Sequence, residues 1–254
     1  MLLLESVCKN FGGLPALSEV SFHVPKGQLT ALIGPNGAGK STLINCITGV
    51  LPATSGSILF NSQEISGLQA HEISRLGISR TFQNLRLFDR LNVLDNVMTG
   101  LTCKAGSSMV MAMLRLPYLR HRERQLRLQS LEALDRFGLE SKKSWPAEIL
   151  AYGDKKRVEL ARATVGKPNL LLLDEPVAGL NSEETGAVGE QLKLLRRAGH
   201  TILLVEHDME LVMEIADKVV VLDSGRCIAT GTPDDVRRNP LVLEAYLGRM
   251  EATA

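Results

Sequence analysis

The 254-residue chain is 44% hydrophobic and 22% charged, an ordinary globular composition that excludes disordered and fibrous classes. Its formal net charge of +1 gives no global electrostatic case for nucleic acid as a partner. The four cysteines, Cys8, Cys46, Cys103 and Cys227, share no C-x-x-C spacing and stand beside no metal-binding histidine, so they read as reduced structural thiols rather than as a metal or redox site.

Taken in chain order, the first 33 residues read as short strands at Leu2–Val7, Val20–Val24 and Leu29–Ile33, with turns at Gly12-Gly13 and Pro25-Lys26-Gly27. No basic leader or cleavage site opens the chain, and no apolar run reaches the ~18 residues of a membrane span, so another chain must do any crossing. A helix over Lys40–Thr48 stops at Gly49, and strands follow at Gly56–Phe60 and Gly77–Thr81. From Asn92 to Leu139 the pattern turns helical and Leu-rich. This predicts an α-helical subdomain, about residues 89–153, inserted between two strands of the core. Met109–Leu116 within it is apolar and Met-rich, which fits either an adaptable contact surface or a buried helix. Helix 154–165, strand Leu170–Leu173, helix 182–197, strand Thr201–Val205, helix 209–216 and strand Val219–Asp223 then alternate. Such alternation predicts an α/β fold with a mostly parallel sheet covered on both faces, and the unbroken Leu170–Leu173 reads as its buried central strand. A C-terminal extension, about 226–254, reads as strand Cys227–Thr230 and two short helices parted near Asn239-Pro240.

Gly34-Pro35-Asn36-Gly37-Ala38-Gly39-Lys40-Ser41 fits G-x-x-x-x-G-K-S/T between an apolar strand and a helix, the context that confirms a phosphate-binding loop. The glycines turn backbone N–H groups toward phosphates without Cβ interference. Lys40 supplies a point charge, Ser41 offers a hydroxyl to Mg²⁺, and Thr42 continues the cradle into the helix whose N-terminus favours anions. ATP and Mg²⁺ are therefore the expected ligands. At the end of Leu170–Leu173, Asp174 is the candidate Mg²⁺ ligand, with Ser41, and Glu175 the candidate that polarises the attacking water.

These motifs combine with others in a fixed order, and the whole chain resembles the ATP-binding subunit of an ATP-binding cassette (ABC) transporter. That resemblance implies a P-loop NTPase core with an N-terminal antiparallel β region and an inserted helical subdomain. It implies that Phe11 stacks on adenine and that Gln83 touches Mg²⁺ and couples to a membrane partner. It implies that His207 is the switch residue near the γ-phosphate, and that Ala178-Gly179-Leu180-Asn181 meets a partner ATPase. Leu150-Ala151-Tyr152-Gly153-Asp154 stands where the family has its L-S-G-G-Q signature. Ala151 replaces the serine hydroxyl and Asp154 brings an acid near phosphate, so Gly153 and the helix N-terminus remain to present N–H groups to the partner's nucleotide.

Segments Ser79–Phe88, Leu150–Gly153, Ala178–Asn181 and Asn239–Gly248, with the long insert around Ser107–Arg127, are similar to the ATPases of branched-chain amino acid importers. The resemblance implies a second cassette (identical or different), transmembrane permease subunits, a substrate-binding protein behind them, and a cytoplasmic position on the inner membrane face. Two other readings stand beside it: a nucleotide-dependent binding module that no longer hydrolyses, suggested by the altered signature, and a cassette energising another cargo.

Overall fold

The computed structural model describes residues 1–81, 87–101 and 117–247. Strand β1 (Leu2–Phe11) forms an antiparallel hairpin with β2 (Leu14–Val24) across Gly12-Gly13, and its other edge pairs with β4 (Ser55–Phe60), which pairs with β5 (Gln63–Glu64). This is the N-terminal antiparallel sheet, in the order β2-β1-β4-β5. Both hairpin strands are longer than their apolar runs suggest. Ser6 and Glu19 adopt positive φ, at 47° and 53°, and the pairing shifts register beside them, so polar residues that break the alternation are absorbed as bulges.

Among the described residues the second sheet has six strands. β3 (Leu29–Ile33), β6 (Ile78–Arg80), β7 (Leu170–Asp174), β8 (Thr201–Val205) and β9 (Lys218–Asp223) run parallel, and β10 (Arg226–Gly231) closes one edge antiparallel, in the order β10-β9-β3-β8-β7-β6. Every residue of β3, β7 and β8 is buried. β7 is second from the edge rather than central; its unbroken leucines have another cause. Leu170 and Leu172 face one core, shared with Leu43, Ile44 and the β1–β2 hairpin, while Leu171 and Leu173 face the other, shared with Ile202, Leu204 and the helices opposite. With side chains alternating across the strand, a sheet covered on both faces demands apolar residues at every position.

α1 (Lys40–Ile47) follows β3, and α2 (Ala70–Arg75) precedes β6. α2 was not apparent in the sequence; its signal is a capping box between Gln69 and Glu72. The helical insert contributes α3 (Val93–Thr99) and α4 (Pro117–Arg136). Val93, Val97, Leu134, Phe137 and Leu139 join the same core as Leu171 and Leu173, so these described parts of the insert pack onto the sheet. Met109–Leu116 lies outside the described residues. α5 (Tyr152–Thr164) starts two residues before the expected helix. α6 (Ser182–Arg197) starts at Asn181, whose side chain accepts from the Glu184 N–H and completes a capping box. α7 (Met209–Ile215) lies between β8 and β9. The extension supplies α8 (Pro233–Arg237) and α9 (Pro240–Leu247), which cover Ala31, Ile33, Val219 and Val221 through Val236, Val242 and Tyr246.

Leu172 is fully buried, whereas Leu194 on α6 is half exposed. Leu172→Ala is expected to cost about 2–5 kcal/mol in urea unfolding, and Leu194→Ala to stay within about 0.5 kcal/mol.

Candidate nucleotide-binding site

The phosphate loop owes its shape to three glycines with positive φ, Gly34 (150°), Gly37 (82°) and Gly39 (99°), and to neighbours that leave no room for a side chain at Gly34 and Gly39. A Cβ on Gly34 would lie 2.0 Å from the Leu222 carbonyl oxygen, and one on Gly39 would lie 2.8 Å from that of Ala16. The loop is thus clasped between β2 and the β9–β10 turn. The Gly225 N–H donates to the Ala38 carbonyl (3.0 Å), and the Ser18 N–H donates to the Gly225 carbonyl (2.8 Å). The cleft over the loop, about 440 Å³, is lined by Asn36 through Thr42, Pro15, Ala16, Glu175, Ser224 and Gly225. Pro15, Ala16, Ser224 and Gly225 escaped the sequence reading, because only the fold brings them to the loop.

Lys40 is 8% exposed, and its Nζ donates to the carbonyls of Gly34 (2.6 Å) and Pro35 (3.1 Å). Burial pushes its pKa below the ordinary lysine range, and the nearby carboxylates of Glu175 and Asp174 oppose that fall. Asp174 is 3% exposed. Its Oδ2 accepts from Arg80 Nη2 at 2.9 Å, while Arg80 Nη1 donates to Asn45 Oδ1 (2.7 Å) and Thr48 Oγ1 (3.2 Å). A guanidinium therefore locks the carboxylate at the end of β7 to helix α1, which the spacing of motifs did not reveal. The Ser41 hydroxyl and the Asp174 carboxylate are hard oxygen donors of the kind Mg²⁺ takes. Among the described residues no group of three or more His, Cys, Asp or Glu could hold a metal by itself. This is the donor set expected where Mg²⁺ shares its ligands with a nucleotide.

Glu175 reaches the cleft from a left-handed conformation, φ 51°, which costs on the order of 1–3 kcal/mol for a residue with a side chain. Its N–H donates to the Val205 carbonyl (2.9 Å), and its own carbonyl accepts from the Ala178 N–H (3.2 Å). His207 follows the end of β8 and is 63% exposed at its side chain. The residue before it, Glu206, is fully buried. Glu206 Oε1 accepts from the Val177 N–H and Oε2 from the His207 N–H, both at 3.1 Å, and His207 Nδ1 lies 3.7 Å from Oε2. Burial raises the Glu206 pKa above the usual carboxylate range, and the backbone N–H donors partly offset the rise. This carboxylate ties the loop after Glu175 to the loop bearing His207. Nothing in its spacing distinguished it from a solvated acid.

At the signature, Ala151 is the N-cap of α5 and Gly153 is packed so closely that a Cβ would meet Glu184 Oε1 at 2.4 Å. Asp154 does not face open space. It is 4% exposed, with one oxygen on Lys142 Nζ and the other on Arg157 Nη2. Its charge is matched by Lys142 of the insert and Arg157 of α5, so the anticipated repulsion of phosphate by Asp154 does not follow.

The fold thus gathers the phosphate loop, Lys40, Ser41, Thr42, Asp174 and Glu175. Phe11 lies apart from the cleft lining, 48% exposed at the end of β1 with Lys9 Nζ 5.2 Å from its ring centroid. His207 also lies outside the lining, as do Ala151 and Gly153. Gln83 is outside the described residues.

A glycine-cradled loop between a buried parallel strand and a helix, with paired acids at the end of the strand one removed from it in the sheet, defines a phosphate-loop nucleotide-binding protein. Residues 17–178 match the ABC transporter family, and residues 226–252 match the branched-chain amino acid ATP-binding cassette transporter family. The high-affinity branched-chain amino acid transport ATP-binding protein LivG of Escherichia coli (strain K12) is 40% identical over 249 residues, 98% of each chain. A crystal structure of the ADP conformation of an ATP-binding cassette of an ABC transporter covers 98% of both chains at 33% identity and TM-score 0.85. A dimeric post-hydrolysis cassette bound to ADP and Pi covers 92% of this chain and 99% of its own at 26% identity and TM-score 0.77. The chain belongs to the ATP-binding cassettes of ABC transporters, and it is an ATPase of that class.

Gly34→Ala meets both a forbidden φ and the Leu222 carbonyl. It is expected to abolish nucleotide binding in a fluorescent-ATP titration, whereas Gly186→Ala, on α6 with open space around it, leaves binding unchanged.

Proposed function

We propose that this chain is the ATP-hydrolysing subunit of an importer for branched-chain amino acids, working as one of two paired cassettes on a membrane permease. The observation that carries the substrate class is the 40% identity to LivG over 98% of both chains, reinforced by the match of residues 226–252. The dimeric cassette among similar structures supports pairing. Among the described residues no helix is long and apolar enough to cross a membrane. In this reading the permease and its upstream binding protein complete the importer, with this chain at the cytoplasmic face. Residues 89–153 act as the helical subdomain that meets the partners, and 226–254 as a C-terminal extension.

In this reading the loop N–H groups and Lys40 hold the β- and γ-phosphates, and Phe11 stacks on the adenine. Ser41, Asp174 and Gln83 hold Mg²⁺, which when bound neutralises charge on the transferring phosphoryl group. Glu175 orients and polarises the water, and His207 steadies the γ-phosphate. Ala151, Gly153 and the N-terminus of α5 face the nucleotide of the second cassette. The matched charge of Asp154 supports hydrolysis over a silent binding role.

In the complex purified through this chain, Glu175→Gln is expected to lower ATP turnover by about a hundredfold or more while fluorescent-ATP binding stays within threefold. Wild-type turnover in that variant would contradict the role. Chelation by EDTA is expected to stop hydrolysis, and added Mg²⁺ to restore it. Leucine uptake into vesicles carrying the complex tests the cargo: uptake that ignores leucine, isoleucine and valine would overturn the substrate assignment.

A further inference from the structure

Lys156 on α5 is 1% exposed, among the largest fully buried side chains of the molecule. Buried lysines are ordinarily paired with an acid, yet among the described residues no carboxylate forms an ion pair with this one. Its Nζ instead donates to the backbone carbonyl of Glu175 at 3.3 Å and lies 5.9 Å from the centroid of the Tyr152 ring. Tyr152 sits one helical turn earlier on the same face of α5, and its hydroxyl donates to the Ala178 carbonyl at 3.2 Å. The ring also closes over Gly179, where a Cβ would meet Tyr152 Cε1 at 3.2 Å. One face of the helix that carries the signature therefore grips the segment from Glu175 to Gly179.

The grip falls where the backbone needs it. Glu175 holds φ 51°, an αL conformation for a residue with a side chain, and the carbonyl that Lys156 engages is part of that peptide geometry. A desolvated amine spent on a single carbonyl stabilises poorly compared with an apolar side chain of the same volume. It is well suited to setting the direction of a strained peptide.

We propose that Lys156 is a positioning residue for hydrolysis: through the Glu175 carbonyl, with Tyr152 behind it, it aims the Glu175 carboxylate and links that carboxylate to the signature helix of the same chain. Movement of α5 when the signature meets the second cassette's nucleotide is then transmitted to the water-polarising group of this chain's own site. The inference rests on the role given to Glu175 above.

The test uses the complex purified through this chain, comparing Lys156→Met, Lys156→Arg, Glu175→Gln and the double variant Lys156→Met/Glu175→Gln. Lys156→Met is expected to lower kcat on the order of tenfold to a hundredfold, the scale for a small misplacement of a reacting group. KM for ATP stays within twofold, and Lys156→Arg recovers most of the turnover. In the Glu175→Gln background the same change is expected to lower residual turnover less than twofold, because the two act as a unit. Wild-type kcat in Lys156→Met, or an equal loss in both backgrounds, overturns the proposal. A loss that tracks a fallen melting midpoint and a raised KM overturns it too, leaving only a structural role. Where Lys156→Met does not accumulate, Lys156→Ala with added methylamine is read the same way, recovered kcat supporting the proposal and unrecovered kcat opposing it. Wild-type turnover in Glu175→Gln itself would remove the role of Glu175, and that result is distinct from a normal Lys156→Met beside an inactive Glu175→Gln.

Discussion

The close approach of bare backbone at Gly34 to the Leu222 carbonyl is the contact on which the rest of the site depends. It lets the end of β3 turn directly under the end of β9 and sets the start of α1, so that Lys40 and Ser41 emerge where the parallel strands deliver their carboxyl ends. The same contact makes the loop a product of the sheet rather than an appendage. β2 closes on it from the N-terminal sheet and Gly225 from the β9–β10 turn, so three distant parts of the chain share one cradle.

Around that cradle the fold treats charge in two ways. The acids at the cleft are kept within reach of cations on other elements: Asp174 with Arg80, and Glu175 close enough to act on Lys40. The acids away from it are used as fasteners. Asp154 is held by Lys142 of the insert and Arg157 of α5, and Glu206 collects backbone N–H groups from two loops. A buried carboxylate surrounded by amides costs desolvation but gains geometry, since each lost donor would leave an unmatched group in the interior. Both loops that Glu206 joins carry residues assigned to the reaction.

What could be read in the chain was what is local in it. The phosphate loop, the acid pair after β7 and the strand–helix alternation each lie within a few consecutive residues, and their chemistry follows from residue type and spacing. The full length of the β1–β2 hairpin could not be read, because its bulges at Ser6 and Glu19 succeed only against a partner strand. Asp154 read as an acid beside phosphate because its neutralising Lys142 belongs to a separate turn twelve residues earlier. Glu206 and Lys156 carry no local pattern that marks them as buried. Their burial is decided by the helices and loops that pack over them. Ala16 and Gly225 frame the cleft from opposite ends of the sequence, and no pattern in either segment points to the other.

The contacts of Lys40 also bear on how tightly a nucleotide can be held. Its Nζ donates to the Gly34 and Pro35 carbonyls, which occupies two of the three N–H donors of an ammonium. The third is left for an arriving phosphate oxygen, so the amine is anchored before a nucleotide comes and need not be reordered to meet it. The loop also keeps its buried amine partnered whether the cleft is filled or empty, so a nucleotide can come and go without stranding a charge in the interior.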